Sequence, residues 1–530
     1  MGVVLQRAWF CNGRGFHSVR SRVASSIQTA QRKYSRMESS LRERLAAAGQ
    51  DHVLRYWEEL ERSQREAFIK QLSSLDLTTL RQDFECFTAP HDDWGPSRSP
   101  VDLEPPLENL LGSVSSSDPE CVQSWRQRGL LQIATGAVAV LLLAGGQGTR
   151  LGVPYPKGMY KLGLPSGKSL YQLQAEQILH LQHLTDKLHN TTCQVPWYIM
   201  TSHHTKEPTR EFFAQHNYFG LRPDNVLLFE QGMLPALTFD GKLILKDKGE
   251  LAMAPDGNGG LYKALDTSGV LQDMEKRGIC NVHVYCVDNV LVRVADPVFI
   301  GFCIATGADC GAKVVEKVLP NESVGVVCRV GGRNQVREYS ELSPEDTTRR
   351  DPDGRLTFRA ANICNHLFHI DFLKRVVTEH LAKLPYHVAK KKVPYIDDVG
   401  KLVKPNQPNA VKLEKFVFDV FPLSEQFVVL EVIRQDEFAP LKNADGAATD
   451  TPSTACRLLL SLHQRWLENA GAILRPMRSQ SDTMLADPVI QCEVSSLVSY
   501  AGEGLSELVN GRELVSPFVL EPSDVCVAPK

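Results

Sequence analysis

Residues 141–158 read LLLAGGQGTRLGVPYPKG, and their reading decides the fold. The apolar run stops at Ala144, four of the next eight positions are glycine, and the cations Arg150 and Lys157 follow at short spacing. A buried strand that ends in open backbone delivers N–H groups and positive charge to an anionic ligand. An ordinary strand followed by a glycine turn and two surface cations is the plain alternative. Two commoner phosphate loops can be tested on the same residues. Gly146 and Gly148 begin a dinucleotide fingerprint, but Leu151 stands where its third glycine is required, and no G-x-x-x-x-G-K-[ST] run is present. A dehydrogenase and a P-loop ATPase are therefore disfavoured. What is left is GG-x-GTRLG followed by PK, whose glycines let the backbone approach a nucleotide while Arg150 and Lys157 meet its phosphates.

Working outward, short β-rich runs alternate with helical ones from about Ala137. VAVLLLA precedes SLYQLQAEQILHLQHL, VPWYIMT precedes TREFFAQH, NVLLFE precedes the stretch from LYKAL to LQDMEKRG, and NVHVYCVDN precedes DPVFIGFCIATG. Such alternation predicts an α/β fold with a doubly wound, mostly parallel sheet, whose ligands bind beyond the carboxyl ends of the strands. After Gly311, GAKVVEK, VGVVCRV and QVREYSEL have strand character without clear helices between them, which predicts an antiparallel extension. NICNHLFHI and FVFDVF read as further strands. Upstream, residues 38–88 carry apolar side chains at three and four spacing and predict two or three amphipathic helices. Residues 89–119 read as a linker rich in breakers. A helix from about Pro452 to Gly471 precedes short strands and turns.

A chain of 530 residues implies two to four domains. With 59 Lys+Arg against 62 Asp+Glu, its net charge of −3 gives no electrostatic reason to bind nucleic acid or a membrane surface, so an anion must be held by a local site. The 13 cysteines include no C-x-x-C pair, and several lie in apolar runs, which predicts reduced thiols in a reducing compartment. The sequons at Asn190 and Asn321 then meet no glycosylation machinery. No apolar run approaches the ~20 residues of a membrane helix. Residues 1–36 contain no Asp or Glu but seven Arg or Lys, the composition of a mitochondrial transit peptide; an extension upstream of a start at Met37 is the competing explanation.

These motifs together resemble the eukaryotic UDP-N-acetylhexosamine pyrophosphorylases, within the UDP-sugar pyrophosphorylase superfamily. LLLAGGQGTRLG with YPKGM carries the superfamily signature, and MAPDGNGGLY, HVYCVDN, GADCGAKVVEK, EYSE, EKFVFDVF and PLKNAD match this family in order along the chain. The resemblance implies transfer of a uridylyl group from UTP to N-acetylglucosamine 1-phosphate or N-acetylgalactosamine 1-phosphate, with release of pyrophosphate. It implies a Rossmann-like domain at 136–439, a helical domain and linker at 37–135, a small C-terminal domain at 440–530, and a basic extension at 1–36. A homodimer, a cytoplasmic location, or a mitochondrial one should residues 1–36 act as a transit peptide, complete the expectation. A weakly active nucleotide-binding paralogue or scaffold, and a pyrophosphorylase for unacetylated hexose 1-phosphates, are the alternatives.

The chemistry suits these residue types. A sugar phosphate with a second pKa of about 6 is largely dianionic at neutral pH and needs no general base, so the work falls on holding two anions in line and neutralising charge. The resemblance places Arg150, Lys157 and Lys442 as catalytic residues, and Leu143, Ala144, Gly145, Gly146, Gln231, Gly257 and Lys412 around the nucleotide. Asp288 is implied as the ligand of Mg²⁺, a cation that takes hard oxygen donors; an Asp at a strand end can equally fix a turn, with Asp296 the better cap for a helix opening at Pro297. Asn258, Glu338, Tyr339, Asn362, Phe416, Phe418 and Lys442 are implied for the sugar phosphate. For the two phenylalanines, core packing on one strand face is the alternative. Ala361 and Ala410 stand where the family pattern has glycine, and a positive φ at either would strain the backbone carrying Asn362 or Lys412.

Overall fold

The computed structural model describes residues 34–88, 103–476 and 490–525. The expectation for residues 1–36 falls almost wholly outside them. Contacts group the chain into two units, one drawing on the described parts of 1–95 with 233–254 and 386–413, the other on the remainder. The second set of segments, 233–254 and 386–413, lies inside the stretch that the sequence reading assigned to the central domain.

The larger unit is built on one sheet. Its strands, in chain order, are β1 (Leu103–Glu104), β2 (Leu111–Ser113), β3 (Val138–Leu143), β4 (Trp197–Thr201), β5 (Val226–Glu230), β6 (Asn281–Cys286), β7 (Cys310–Glu316), β8 (Val326–Val330), β9 (Arg333–Arg337), β10 (Ala360–His369) and β11 (Phe427–Glu431). They run in the order β2-β11-β7-β10-β6-β3-β4-β5, with β8 joined to β10 and carrying β1 and β9. β6, β3, β4 and β5 pair in parallel with one another, as do β7, β11 and β2. Only β10 inverts the main path, lying antiparallel to both β6 and β7. The carboxyl ends of β3, β6 and β7 and the amino end of β10 therefore share one edge.

Every side chain of β3 is buried because it is covered on both faces. Val138, Val140 and Leu142 enter one core cluster, and Ala139, Leu141 and Leu143 enter another. The first lies under α1 (Pro119–Ala134), α2 (Leu170–His189) and α6 (Pro297–Ala305); the second lies under α4 (Leu261–Thr267) and α5 (Val270–Lys276), with α3 (Lys206–Gln215) covering the outer strands. Asp296 caps α6 by accepting from the Val298 N–H at 3.1 Å, ahead of Pro297. Helices α1 and α6 meet through glycine. A Cβ on Gly301 would lie 1.7 Å from the Trp125 carbonyl oxygen, and one on Gly129 would lie 1.9 Å from that of Pro297. Gly301→Ala is expected to force the helices apart and cost about 3 kcal/mol, read as a lower denaturation midpoint with an unchanged denaturant slope.

Two sequence expectations need correction. Residues 103–113, read as linker, contribute β1 and β2 to the sheet, because Gly112 lets β2 lie under the Phe302 ring, which a Cβ would approach to 2.6 Å. FVFDVF is not a strand: Val417–Leu423 is a 3₁₀ helix. Asp419 accepts from the Phe416 N–H at 2.7 Å and starts that turn, while Pro422 has no N–H for a sheet ladder.

The smaller unit packs helices 34–47, Arg62–Ser73 and Leu77–Thr88 against strands from the two later segments. Its core includes Leu41, Leu45, Phe68, Leu72, Leu237, Leu251, Val411 and Leu413. Among the described residues no helix is long and apolar enough to cross a membrane.

Candidate functional site

The loop after β3 is shaped by what its glycines leave open. Leu143 ends the strand, and the Ala144 N–H donates to Met200 O at 2.8 Å, holding the turn to β4. A Cβ on Gly145 would lie 2.2 Å from Gln231 Oε1, so only glycine lets that amide lie across the loop. Gln231 follows β5 and is buried, its N–H bonded to Thr201 O. Gly146 is exposed and its carbonyl accepts from the Lys157 N–H at 3.5 Å. Arg150 is exposed on the single turn Gly148–Leu151.

Lys157, Asp288 and the chain around Lys442 converge. Lys157 Nζ donates to Leu441 O at 2.9 Å and stands 4.0 Å from Asp288 Oδ2. Asp288 lies two residues beyond β6, and its carbonyl accepts from the Leu441 N–H. Lys442 N–H donates to Asp450 O at 2.8 Å, and the Asp450 carboxyl is pushed up by burial against the opposing pull of the Lys442 ammonium. Leu441 is fixed from below by packing with Leu151, Val290 and Leu459 of α7 (Pro452–Asn469).

Sequence reasoning missed the residue that holds this segment. Asn289 Nδ2 donates to Glu437 O at 2.7 Å, and its Oδ1 accepts from the Ala439 N–H at 3.0 Å. The signal available was a buried amide beside Asp288 at a strand end. Asn289→Ala is expected to strip two buried backbone groups of their partners, at about 1–3 kcal/mol each, and to lower turnover by letting the Leu441–Lys442 segment drift. Urea denaturation and steady-state rates, measured on one preparation, separate the two effects.

The second glycine turn packs on residues 415–417. Gly257 has φ +86°, and a Cβ there would meet Lys415 O at 2.3 Å. Gly259 N–H donates to that same carbonyl at 2.8 Å, and Asn258 Oδ1 accepts from the Val417 N–H at 2.9 Å. One end of the Asn258 amide is thus committed to the chain. Phe416 and Phe418 stand with ring centroids 5.1 Å apart, Phe418 buried and Phe416 partly so. Asp256 escaped notice because PDGNGG reads as turn material. It is buried between Gly232 and Gly260, either of whose Cβ atoms would collide with the carboxyl, and burial pushes that carboxyl up to about 6.

On the other side, Glu338 follows β9 with its carboxylate against Gly325, whose carbonyl accepts from the Asn362 N–H at 2.8 Å. Glu338 and Asn362 are thus brought together, while Tyr339 beside them is 53% exposed. Neither Ala361 nor Ala410 has a positive φ, so the strain considered for an alanine at these positions is absent. The left-handed residue in β10 is Cys364, at φ +52°. Lys412 lies in the smaller unit.

The family model described as UTP–glucose-1-phosphate uridylyltransferase matches residues 114–498. The chain is 54% identical over 499 residues to UDP-N-acetylhexosamine pyrophosphorylase-like protein 1 of Xenopus tropicalis, covering 92% of this chain and 98% of that protein. It is 43% identical over 486 residues to UDP-N-acetylglucosamine diphosphorylase 2 of Arabidopsis thaliana, covering 90% and 93%. Among solved structures, the uridine diphosphate N-acetylglucosamine pyrophosphorylase of Trypanosoma brucei superposes with a TM-score of 0.74 at 32% identity, covering 89% of this chain and 94% of that one. A match over most of the chain in sequence and fold, with a glycine loop, two lysines and an aspartate at the edge where such sheets bind ligands, leads to one conclusion: the chain belongs to the UTP–glucose-1-phosphate uridylyltransferase family.

Proposed function

We propose that the protein transfers the uridylyl group of UTP to an N-acetylhexosamine 1-phosphate, releasing pyrophosphate. The observation that carries this reading is the convergence of Lys157, Asp288 and the Leu441–Lys442 segment at the edge that also receives the amino end of β10 with Asn362. An oxygen of the sugar phosphate attacks the α-phosphorus as the bond to the β-phosphate oxygen breaks, and the pair on that oxygen leaves with pyrophosphate. The nucleophile is already ionised at neutral pH. The backbone of 143–146 and the Gln231 amide take the nucleoside, Arg150 and Lys157 the triphosphate, and Lys442 the sugar phosphate. Glu338, Asn362 and the 416–418 wall take the sugar, whose hydroxyls and acetyl methyl match carboxylate, amide and apolar partners.

Among the described residues no cluster of three His, Cys, Asp or Glu could hold a metal, whereas Asp288 offers one carboxylate, 30% exposed. That donor set fits Mg²⁺, which binds through one or two carboxylates with substrate phosphates and water. When bound, it supplies neutralisation of charge on the phosphate oxygens. The cytoplasm is the compartment that suits free thiols, and a homodimer belongs to the same reading. Incubation with UTP, Mg²⁺ and N-acetylglucosamine, N-acetylgalactosamine or glucose 1-phosphate tests it. Pyrophosphate released with an acetylated sugar, and abolished by chelator, is the expected result; release with glucose 1-phosphate alone, or with none of the three, overturns it.

A further inference from the structure

Cys286 is the last residue of β6, two positions before Asp288; Cys364 lies in β10, two positions after Asn362. The antiparallel register ends at the Tyr285–Asn365 pair, with Cys286 and Cys364 the residues next to it on the two strands. The β7–β10 register slips between Ala312 and Val314, and within this irregularity Cys364 takes φ +52° while its N–H donates to Asn362 Oδ1 at 3.1 Å. A bulge of this kind re-aims a side chain, and here it brings Cys364 Sγ to 3.1 Å from Cys286 Sγ. Both thiols are partly exposed, whereas Cys193, Cys303, Cys310, Cys328 and Cys492 are buried.

We propose that Cys286 and Cys364 are an oxidative modification site, at which a peroxide converts the two thiols into a disulfide that ties the Asp288 loop to the Asn362 bulge and suppresses turnover. One thiolate attacks hydrogen peroxide: an S–O bond forms, the O–O bond breaks, and the departing hydroxide takes a proton to become water. The second sulfur then attacks the resulting sulfenic acid. An S–S bond forms, the S–O bond breaks, and hydroxide leaves as water with the proton of the second thiol. Two thiols lose two electrons and one peroxide is reduced to two waters. The sulfurs must still close by about 1 Å, and that movement lands between a residue of the nucleotide half and a residue of the sugar half. A displacement of about 1 Å in such a site is worth about 10²-fold in rate. Bonds of this class in a reducing compartment are transient and redox-sensing rather than structural.

The effect on turnover rests on the function proposed above; the bond does not. The full-length reduced protein is treated with hydrogen peroxide, alkylated, digested and analysed by mass spectrometry, with pyrophosphate release measured on the same samples. The expected result is a peptide joining Cys286 to Cys364, a fall in turnover of at least tenfold, and recovery with dithiothreitol. Cys364→Ala and Cys286→Ala, each active before treatment, are expected to keep their activity after it. Absence of the joined peptide overturns the site, and a joined peptide with unchanged turnover, or an equal loss in the variants, overturns the switch. The joined peptide is read whether or not the protein turns over, so failure of this bond and failure of the activity remain separate results.

Discussion

Lys157→Ala is expected to lower the rate of pyrophosphate release about 10³-fold, equivalent to about 4 kcal/mol of transition-state stabilisation. The side chain is 15% exposed and makes two contacts, to the Leu441 carbonyl and to Asp288 at 4.0 Å. Neither contact is deep in the core, so folding stability should change by no more than about 1 kcal/mol, the net value of one hydrogen bond. Lys157→Arg should recover little, because a planar guanidinium cannot occupy the place of a compact ammonium 2.9 Å from a carbonyl. Steady-state kinetics with UTP, paired with a denaturant melt, checks both halves. A loss of stability that matches the loss of rate would return Lys157 to a structural role.

The largest effect on stability is expected from Lys313→Met. Lys313, fully buried on β7, lies 2.6 Å from Asp296 and in contact with Glu437, both nearly inaccessible, and its ammonium stands 5.5 Å from the Phe299 ring. Methionine matches the shape but leaves the two buried carboxylates with the Arg293 guanidinium, 3.6 Å from Glu437, as their remaining countercharge among the described residues. Breaking a buried pair from one side costs about 3–5 kcal/mol. The pH dependence gives a second readout. Burial alone would push the Asp296 carboxyl up, but Lys313 and then Arg293 outweigh it and hold it below its ordinary value of 3.8. In the native protein this contribution is therefore present above the unfolded-state value and lost as the pH falls through the lower folded one. Without Lys313, burial prevails and the carboxyl lies above its unfolded value, so the folded state binds the proton more readily and the variant's deficit narrows as pH is lowered. Urea unfolding of both proteins at pH 7.5 and 5.5 measures this; a deficit that widens at pH 5.5 would contradict the assignment.

The sheet was legible because its strands announce themselves. VAVLLL must be buried on both faces, and NVHVYC differs from it only by residues whose partners are internal, such as His283, bonded to Asn365 Oδ1 at 2.6 Å and held down to about 4 by burial. The glycine loop after β3 was equally readable as a loop, since glycine density and cation spacing are local. FVFDVF was misread because alternation of apolar and polar residues does not register that Asp419 can bond a backbone N–H three positions earlier. Asn289 and Asp256 act through contacts far away in sequence, Asn289 through residues 437–439 and Asp256 between Gly232 and Gly260, and no local pattern marks either. Lys313 is similar: a lysine in GAKVVE reads as an interruption of a strand until Asp296 and Glu437 are seen around it.

The smaller unit has a consequence for how the chain is made. Its first helices end at Thr88, but the core they need is completed by residues as far on as Leu413. On a ribosome adding about 5–20 residues per second, that interval of roughly 325 residues takes on the order of 15–65 s. During it, Leu41, Leu45, Phe68 and Leu72 are synthesised and emerged while Val411 and Leu413 do not yet exist. The helices at the start of the chain thus wait for the last members of their core through most of its synthesis.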